Sequence, residues 1–155
     1  MTPRTLFPAL ARAEVVSWSL LLVGMFLKYV TATTELGVAV FGLVHGVVFL
    51  AYALVTVLVW VDQRWSWRLG AAALAAGIPP FATLWIERRV ERTGRLGNRW
   101  RLGPDGEAPG HPAEHVLSRA LARPAVATAA GGAMVLTATA VLLLVGPPGA
   151  TASGP

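Results

Sequence analysis

Apolar positions in this chain fall in long blocks. Four of them, at about 13–30, 37–60, 66–86 and 124–146, are separated by short polar segments and by one long one. Each is close to the roughly 20 residues that a helix rising about 1.5 Å per residue needs to cross a hydrocarbon core about 30 Å thick. The pattern predicts an all-α protein, a polytopic membrane helix bundle with four transmembrane helices. In the first block Arg4 and Arg12 precede an apolar run from Val15 to Leu27, as in a signal peptide. Lys28 and Tyr29 end that run where small residues should lead to a cleavage site, so it reads as a retained helix. Pro79 and Pro80 interrupt the third block, and the Ala/Gly/Thr-rich start of the fourth is restored by Val135–Val145. The chain divides into a tail (1–12), a three-span core (13–91), a basic Gly/Pro-containing loop (92–123), a fourth span (124–146) and a disordered tail (147–155).

Composition agrees with the block pattern. Of 155 residues 55% are hydrophobic and 14% charged, and the mean hydropathy is +0.59, well above a soluble domain. With no cysteine, disulfides and thiolate metal sites are excluded. Twelve of the 13 basic residues are Arg, which alongside abundant Ala, Gly and Pro matches a GC-rich coding bias.

Charge sets the expected topology. Four hairpin-connected spans put Arg4, Arg12, Arg64 and Arg68 on one side, and Lys28 with the eight arginines from Arg88 to Arg123 on the other. Nine against four places the third loop in the cytoplasm of a bacterial plasma membrane and both termini outside. The flanks of the first helix lean slightly the other way. Within the loop, 85–101 reads as a prolongation of the third helix, with Arg88, Arg89, Arg92 and Arg95 at anionic lipid headgroups. A turn-rich linker (103–112) and a short helix (112–121) follow. One membrane-side basic patch with Trp100 as its only aromatic beyond the span is no nucleic-acid interface.

Candidate chemistry is sparse. His111-Pro112-Ala113-Glu114-His115 matches H-x-x-E-H, a zinc-hydrolase pattern. It follows a flexible linker, has Pro at its second position and no clear third ligand, so no metal or cofactor is expected. Glu14 and Lys28 lie near the ends of the first span, where charge reaches the interface by snorkelling, and Glu35 is the nearest partner for Lys28. Trp60, Trp65, Trp67 and Trp85 fall at span ends and fit an interfacial belt.

His45 lies about 12 Å into the second span, where an ionisable group must find a partner. Gly42 and Gly46 form a GxxxG around it. Pro79 and Pro80 cannot donate to the carbonyls of Ala75 and Ala76, so a kink at matching depth offers free acceptors. His45 is therefore expected to donate to one of them and lock the second and third helices together. The alternative is a proton-carrying or ligand-contacting role at the kink.

Residues 14–89 resemble a bacterial integral-membrane family, domain of unknown function 3817, with an HG motif. The resemblance runs through Glu14, Ser17 and Trp18, then Leu27-Lys28-Tyr29, His45-Gly46 with Phe49 and Tyr52, Pro80-Phe81, and Glu87-Arg88-Arg89. It departs at Val15, Phe26 and Ala82, where Gly, Pro and Gly are usual. The resemblance implies a three-span unit, with the loop from Arg92 and the fourth span as an extension, and it implies no activity. The expected function is that of a non-enzymatic membrane component, in contact with the lipid bilayer and assembling as a homo-oligomer or within a larger membrane complex. The alternative is a small carrier or proton-coupled transporter subunit using His45.

Overall fold

A computed structural model describes residues 1–145. The tail expected over 147–155 lies outside them. The described residues form six helices: α1 (Pro3–Tyr29), α2 (Leu36–Asp62), α3 (Trp67–Ala75), α4 (Ala82–Arg92), α5 (Pro112–Ala122) and α6 (Pro124–Val145). Three of these, α1, α2 and α6, are long and apolar enough to cross a membrane. The all-helical membrane architecture is as expected; the count of four spans is not.

α1 starts ten residues earlier than its apolar block, so the expected tail is helix. Thr2 folds back on the first turn, its N–H donating to Thr5 Oγ1 at 3.0 Å, and Pro3 takes the first helical position, where no N–H is needed. Phe7, Ala11 and Glu14 then continue one buried face at helical spacing. Phe7 stacks edge-on to Trp65, centroids 5.4 Å apart, which anchors this extension.

The expected third span is instead a hairpin. α3 rises only about 13 Å before the chain turns through Gly77-Ile78-Pro79-Pro80-Phe81, and α4 runs back. Both ends of the hairpin sit together: the Trp65 indole, just before α3, donates to the Arg95 carbonyl, just after α4, at 2.9 Å. A turn inside a bilayer must satisfy its backbone internally. Gly77 and Ile78 donate to Leu74 and Ala75 at 3.1 Å, Ala82 donates to Pro79, and the two prolines present no N–H. Trp18 of α1 donates to the Gly77 carbonyl at 3.3 Å and Tyr52 of α2 to the Ala73 carbonyl at 2.7 Å. Phe81 begins α4 at φ 66°, a left-handed conformation unfavourable for a bulky residue, held by this turn.

The hairpin removes the expected separation between the third loop and the N-terminus. Because α3–α4 enters and leaves at one end, the third loop lies at the end where α1 begins. The contacts are direct: the Trp100 indole donates to the Met1 carbonyl at 2.8 Å, Arg4 N–H to the Gly97 carbonyl at 3.3 Å, and Arg4 Nη1 to Asn98 Oδ1 at 3.2 Å. The third loop and Met1 therefore cannot lie on opposite sides of a membrane. α6 runs antiparallel to α2, with Gly131 near Leu54 and Leu142 beside Val38, and ends at the opposite end. All 12 arginines now gather at one end, and Lys28 is alone at the other.

That basic end is the most densely built part. α4 stops at Arg92 rather than running to 101, because Gly94 at φ 64° closes it, Gly94 N–H bonding Glu91 and Arg95 N–H bonding Val90. Residues 93–111 then pack as an ordered cap on the end of α2. Buried Asp62 accepts from the backbone N–H groups of Arg101 and Leu102, each at 3.0 Å, and from Gln63 Nε2. Trp60 lies flat on Gly70, where a Cβ would come within 2.0 Å of the indole. Trp60 and Trp65 are thus packing residues, while Trp67 and Trp85 are 70% and 62% exposed. At the other end α1 and α2 cross closely at Gly24 and Gly37, and Lys28 pairs with Glu35 at 3.3 Å as expected.

Candidate functional site

Midway along the bundle α1 presents Ala11, Glu14 and Trp18 on one face, spaced three and four residues apart. The outer two hold the hairpin: Thr83 Oγ1, at the start of α4, donates to the Ala11 carbonyl at 3.1 Å, and Trp18 holds Gly77 at the end of α3. Glu14 lies between them, opposite the break. It does not snorkel to the interface as its position in the apolar block implied. Its side chain is fully buried, and among the described residues Oε1 has no hydrogen-bond partner.

The other oxygen belongs to a short chain of polar atoms. Ser17 Oγ lies 3.3 Å from Glu14 Oε2, 2.9 Å from the Glu14 carbonyl and 3.0 Å from His45 Nδ1. His45 Nδ1 is itself 3.8 Å from Glu14 Oε2. The Trp18 ring covers the imidazole at a centroid distance of 4.5 Å, with Phe49 at 6.3 Å. His45 therefore bridges to α1, not to the hairpin. Of its two expected acceptors, the Ala75 carbonyl is used by Ile78 and the Ala76 carbonyl receives no bond from His45, while Trp18 and Tyr52 are the side chains that bind hairpin carbonyls. The imidazole meets α1 rather than the hairpin helix expected for it.

The remaining sequence candidates separate. Pro79 and Pro80 sit exposed at the hairpin tip. Gly42 and Gly46 do not receive α3; they line a groove of about 330 Å³ between α2 and α6, and a Cβ at Gly46 would meet nothing within 4 Å among the described residues. Lys28 is at the far end. Arg88, Arg89, Arg92 and Arg95 are exposed at the basic end, with Arg89 5.4 Å over the Trp85 ring.

His111 and His115 do not share a helix face, since Pro112 opens α5 and leaves His111 extended at the N-cap position. Glu114 turns inward and binds the Gly110 N–H at 2.7 Å, Arg101 Nη2, and Arg64 Nε at 3.6 Å. The Gly110 N–H and the Arg101 guanidinium hold its carboxyl at about 2, below the usual 4.5. Glu114, Arg101 and Arg64 form an ion-pair clasp. Ser17, Trp18 and Tyr52 entered the sequence reading only as family residues. The signal for Ser17 and Trp18 was their spacing of three and four residues from Glu14. Asp62 was missed, although an acid ending an apolar run before a turn is where loop amides gather.

A family model described as Domain of unknown function (DUF3817) matches residues 4–92, spanning α1, α2 and the α3–α4 hairpin. The chain belongs to this family. Its unit here is two full-length helices and a hairpin rather than three spans, and the cap, α5 and α6 lie beyond it. A curated relative from Streptomyces coelicolor, named "Putative membrane protein SCO5905", is 48% identical over 93 residues, covering 58% of this chain and 11% of the relative. The chain thus corresponds to about a tenth of that protein's length. No solved structure matches.

Proposed function

We propose that this chain is a non-enzymatic membrane module that assembles with a second copy or within a larger membrane complex. The groove between α2 and α6 carries this reading. Gly42 and Gly46 leave room there for the backbone of another helix, the usual driver of association in lipid, and the described residues leave it unfilled. Use of the matched unit as 11% of a far longer relative supports a part rather than a whole. The site supports a non-enzymatic reading too. Ser17 and Glu14 both face the same imidazole nitrogen, whereas a nucleophile relay needs the two ring nitrogens divided between nucleophile and orienting acid. A photo-crosslinker replacing Leu43 on the groove rim tests the reading in native membranes. A discrete adduct with a second copy or one larger protein is expected; lipid adducts alone on a monomer overturn it.

The same geometry supports an orientation. Twelve arginines at one end against Lys28 at the other favour a cytoplasmic basic end, with Met1 inside, the reverse of the four-span expectation. Exposed Arg88, Arg89, Arg92 and Arg95 then meet anionic headgroups. The chain has no cysteine, so Thr33→Cys and Asn98→Cys report cleanly. An impermeant maleimide should label the first in intact cells and the second only after lysis.

A second reading, a small carrier or proton-coupled subunit, is favoured by the Glu14–His45 contact at the hairpin break. Proton or solute flux that persists unchanged in His45→Gln vesicles removes it.

A further inference from the structure

We infer that Glu14, Ser17 and His45 form a buried proton-binding site, in which one proton is shared between the carboxyl and the imidazole through the serine hydroxyl. The argument starts from charge. A lone charge this far inside a bundle is expensive, so the lowest-energy state of two facing ionisable groups is the one with no net charge. For a carboxyl and an imidazole that state holds one proton between them, on either group. Neutrality therefore sets the proton count and leaves the proton's position open.

The geometry supplies the route. Ser17 Oγ stands 3.3 Å from Glu14 Oε2 and 3.0 Å from His45 Nδ1, and a hydroxyl both donates and accepts. When Oε2–H gives its proton to Oγ, Oγ gives its own to Nδ1, and carboxylic acid with neutral imidazole becomes carboxylate with imidazolium. The reverse step restores the first state. No heavy atom has to move and no other reactant is needed. Oε1, without a partner among the described residues, is the second observation: a carboxyl kept purely for packing would have both oxygens satisfied, as Asp62 does.

No other ionisable group takes over the pair. On α2 Tyr52 faces it but donates to Ala73, and on α4 Glu87 is bound to Arg12 at 2.9 Å. α3 carries only Arg68, at its outer end, and α6 has no titratable side chain among its described residues. Trp18, over the imidazole, also holds the hairpin tip through Gly77, so the protonation state of the pair bears on how that tip is held. The site is a claim about binding and stands whether or not the chain assembles or transports.

The experiment follows His45 by nitrogen NMR of histidine-labelled protein in nanodiscs across a pH titration, in wild type, Glu14→Gln and Ser17→Ala. In a shared-proton site the Gln variant, close to isosteric, moves the His45 midpoint by about one pH unit or more, tenfold in proton affinity. The Ala variant moves it less. Infrared titration of the carboxyl band in His45→Gln gives the reciprocal reading and should show a matching displacement. Identical His45 titration in wild type and Glu14→Gln overturns the proposal. So does a midpoint that follows sodium concentration at constant ionic strength, which would make this a metal-cation site.

Discussion

The two ends of the bundle hold their buried polar groups by opposite means. At the basic end, α1, α2, the hairpin, the 93–111 cap and α5 converge, and two buried acids are well satisfied: Asp62 by two backbone amides and Gln63, Glu114 by Gly110, Arg101 and Arg64. At the far end α1 and α2 meet through Gly24 and Gly37, flanked by exposed apolar side chains such as Val23, Phe26 and Val40, and the Lys28–Glu35 ion pair there is at the surface. The contrast follows from solvent. Where water reaches, the hydrophobic effect and charge pairing build a core; where lipid surrounds the chain, close backbone packing is the main adhesive. The Glu14–His45 pair lies between the two regimes, with one oxygen left over.

Breaking the basic end should have the largest effect. Asp62→Ala strands two loop amides and should lower stability by about 3 kcal/mol in denaturant titrations in mild detergent, with the cap becoming protease-sensitive. At the far end Gly24→Ala puts a methyl 2.7 Å from the Gly37 carbonyl carbon, too close to relax locally. It should cost about 2 kcal/mol by overpacking, read as a lower unfolding midpoint with the cap still protected. Tyr52→Phe removes the donor to Ala73 at the hairpin and should lose about 1 kcal/mol. A loss as large as that of Asp62→Ala would place the hairpin, not the cap, at the centre of stability.

Acid sharpens the comparison. Glu114 is held at about 2, down from 4.5, so its contribution is fully present above pH 4.5 and fades as pH falls through about 2. Over that window pepsin, which is active in acid, should gain access to the chain around Leu117, on the buried face of α5, while the α1–α2 crossing at Gly37 stays uncut. The smallest effect belongs to Lys28→Ala: its partner Glu35 is 82% exposed, and such pairs contribute less than about 1 kcal/mol.

Several features were legible from single segments. α2 and α6 lie close to their apolar blocks, the short helix at 112–121 is α5, and Lys28 found Glu35. His45 was marked as needing a partner, and the break at Pro79-Pro80 was located. Its consequence was misjudged, because a kinked span and a returning hairpin have the same composition, and the difference lies in whether neighbouring helices satisfy the turn. Trp18 and Tyr52 do so here, from positions 59 and 21 residues away in sequence. The expected separation of the third loop from the N-terminus was lost with it. Once 66–86 turns back, the third loop joins the start of α1, and the first-helix flanks that had dissented agree with the rest.

Local chemistry in the chain therefore determined that this is an all-helical membrane protein, which segments are apolar, and which residues carry unsatisfied polarity, since hydrophobicity and hydrogen-bonding capacity belong to residues themselves. Tertiary structure decided which helix each polar group faces, which end of the bundle collects the charge, and that Glu14 is a buried partner of His45 rather than an interfacial anchor. Those depend on contacts between segments far apart in sequence, and helical periodicity defines a face without saying what meets it.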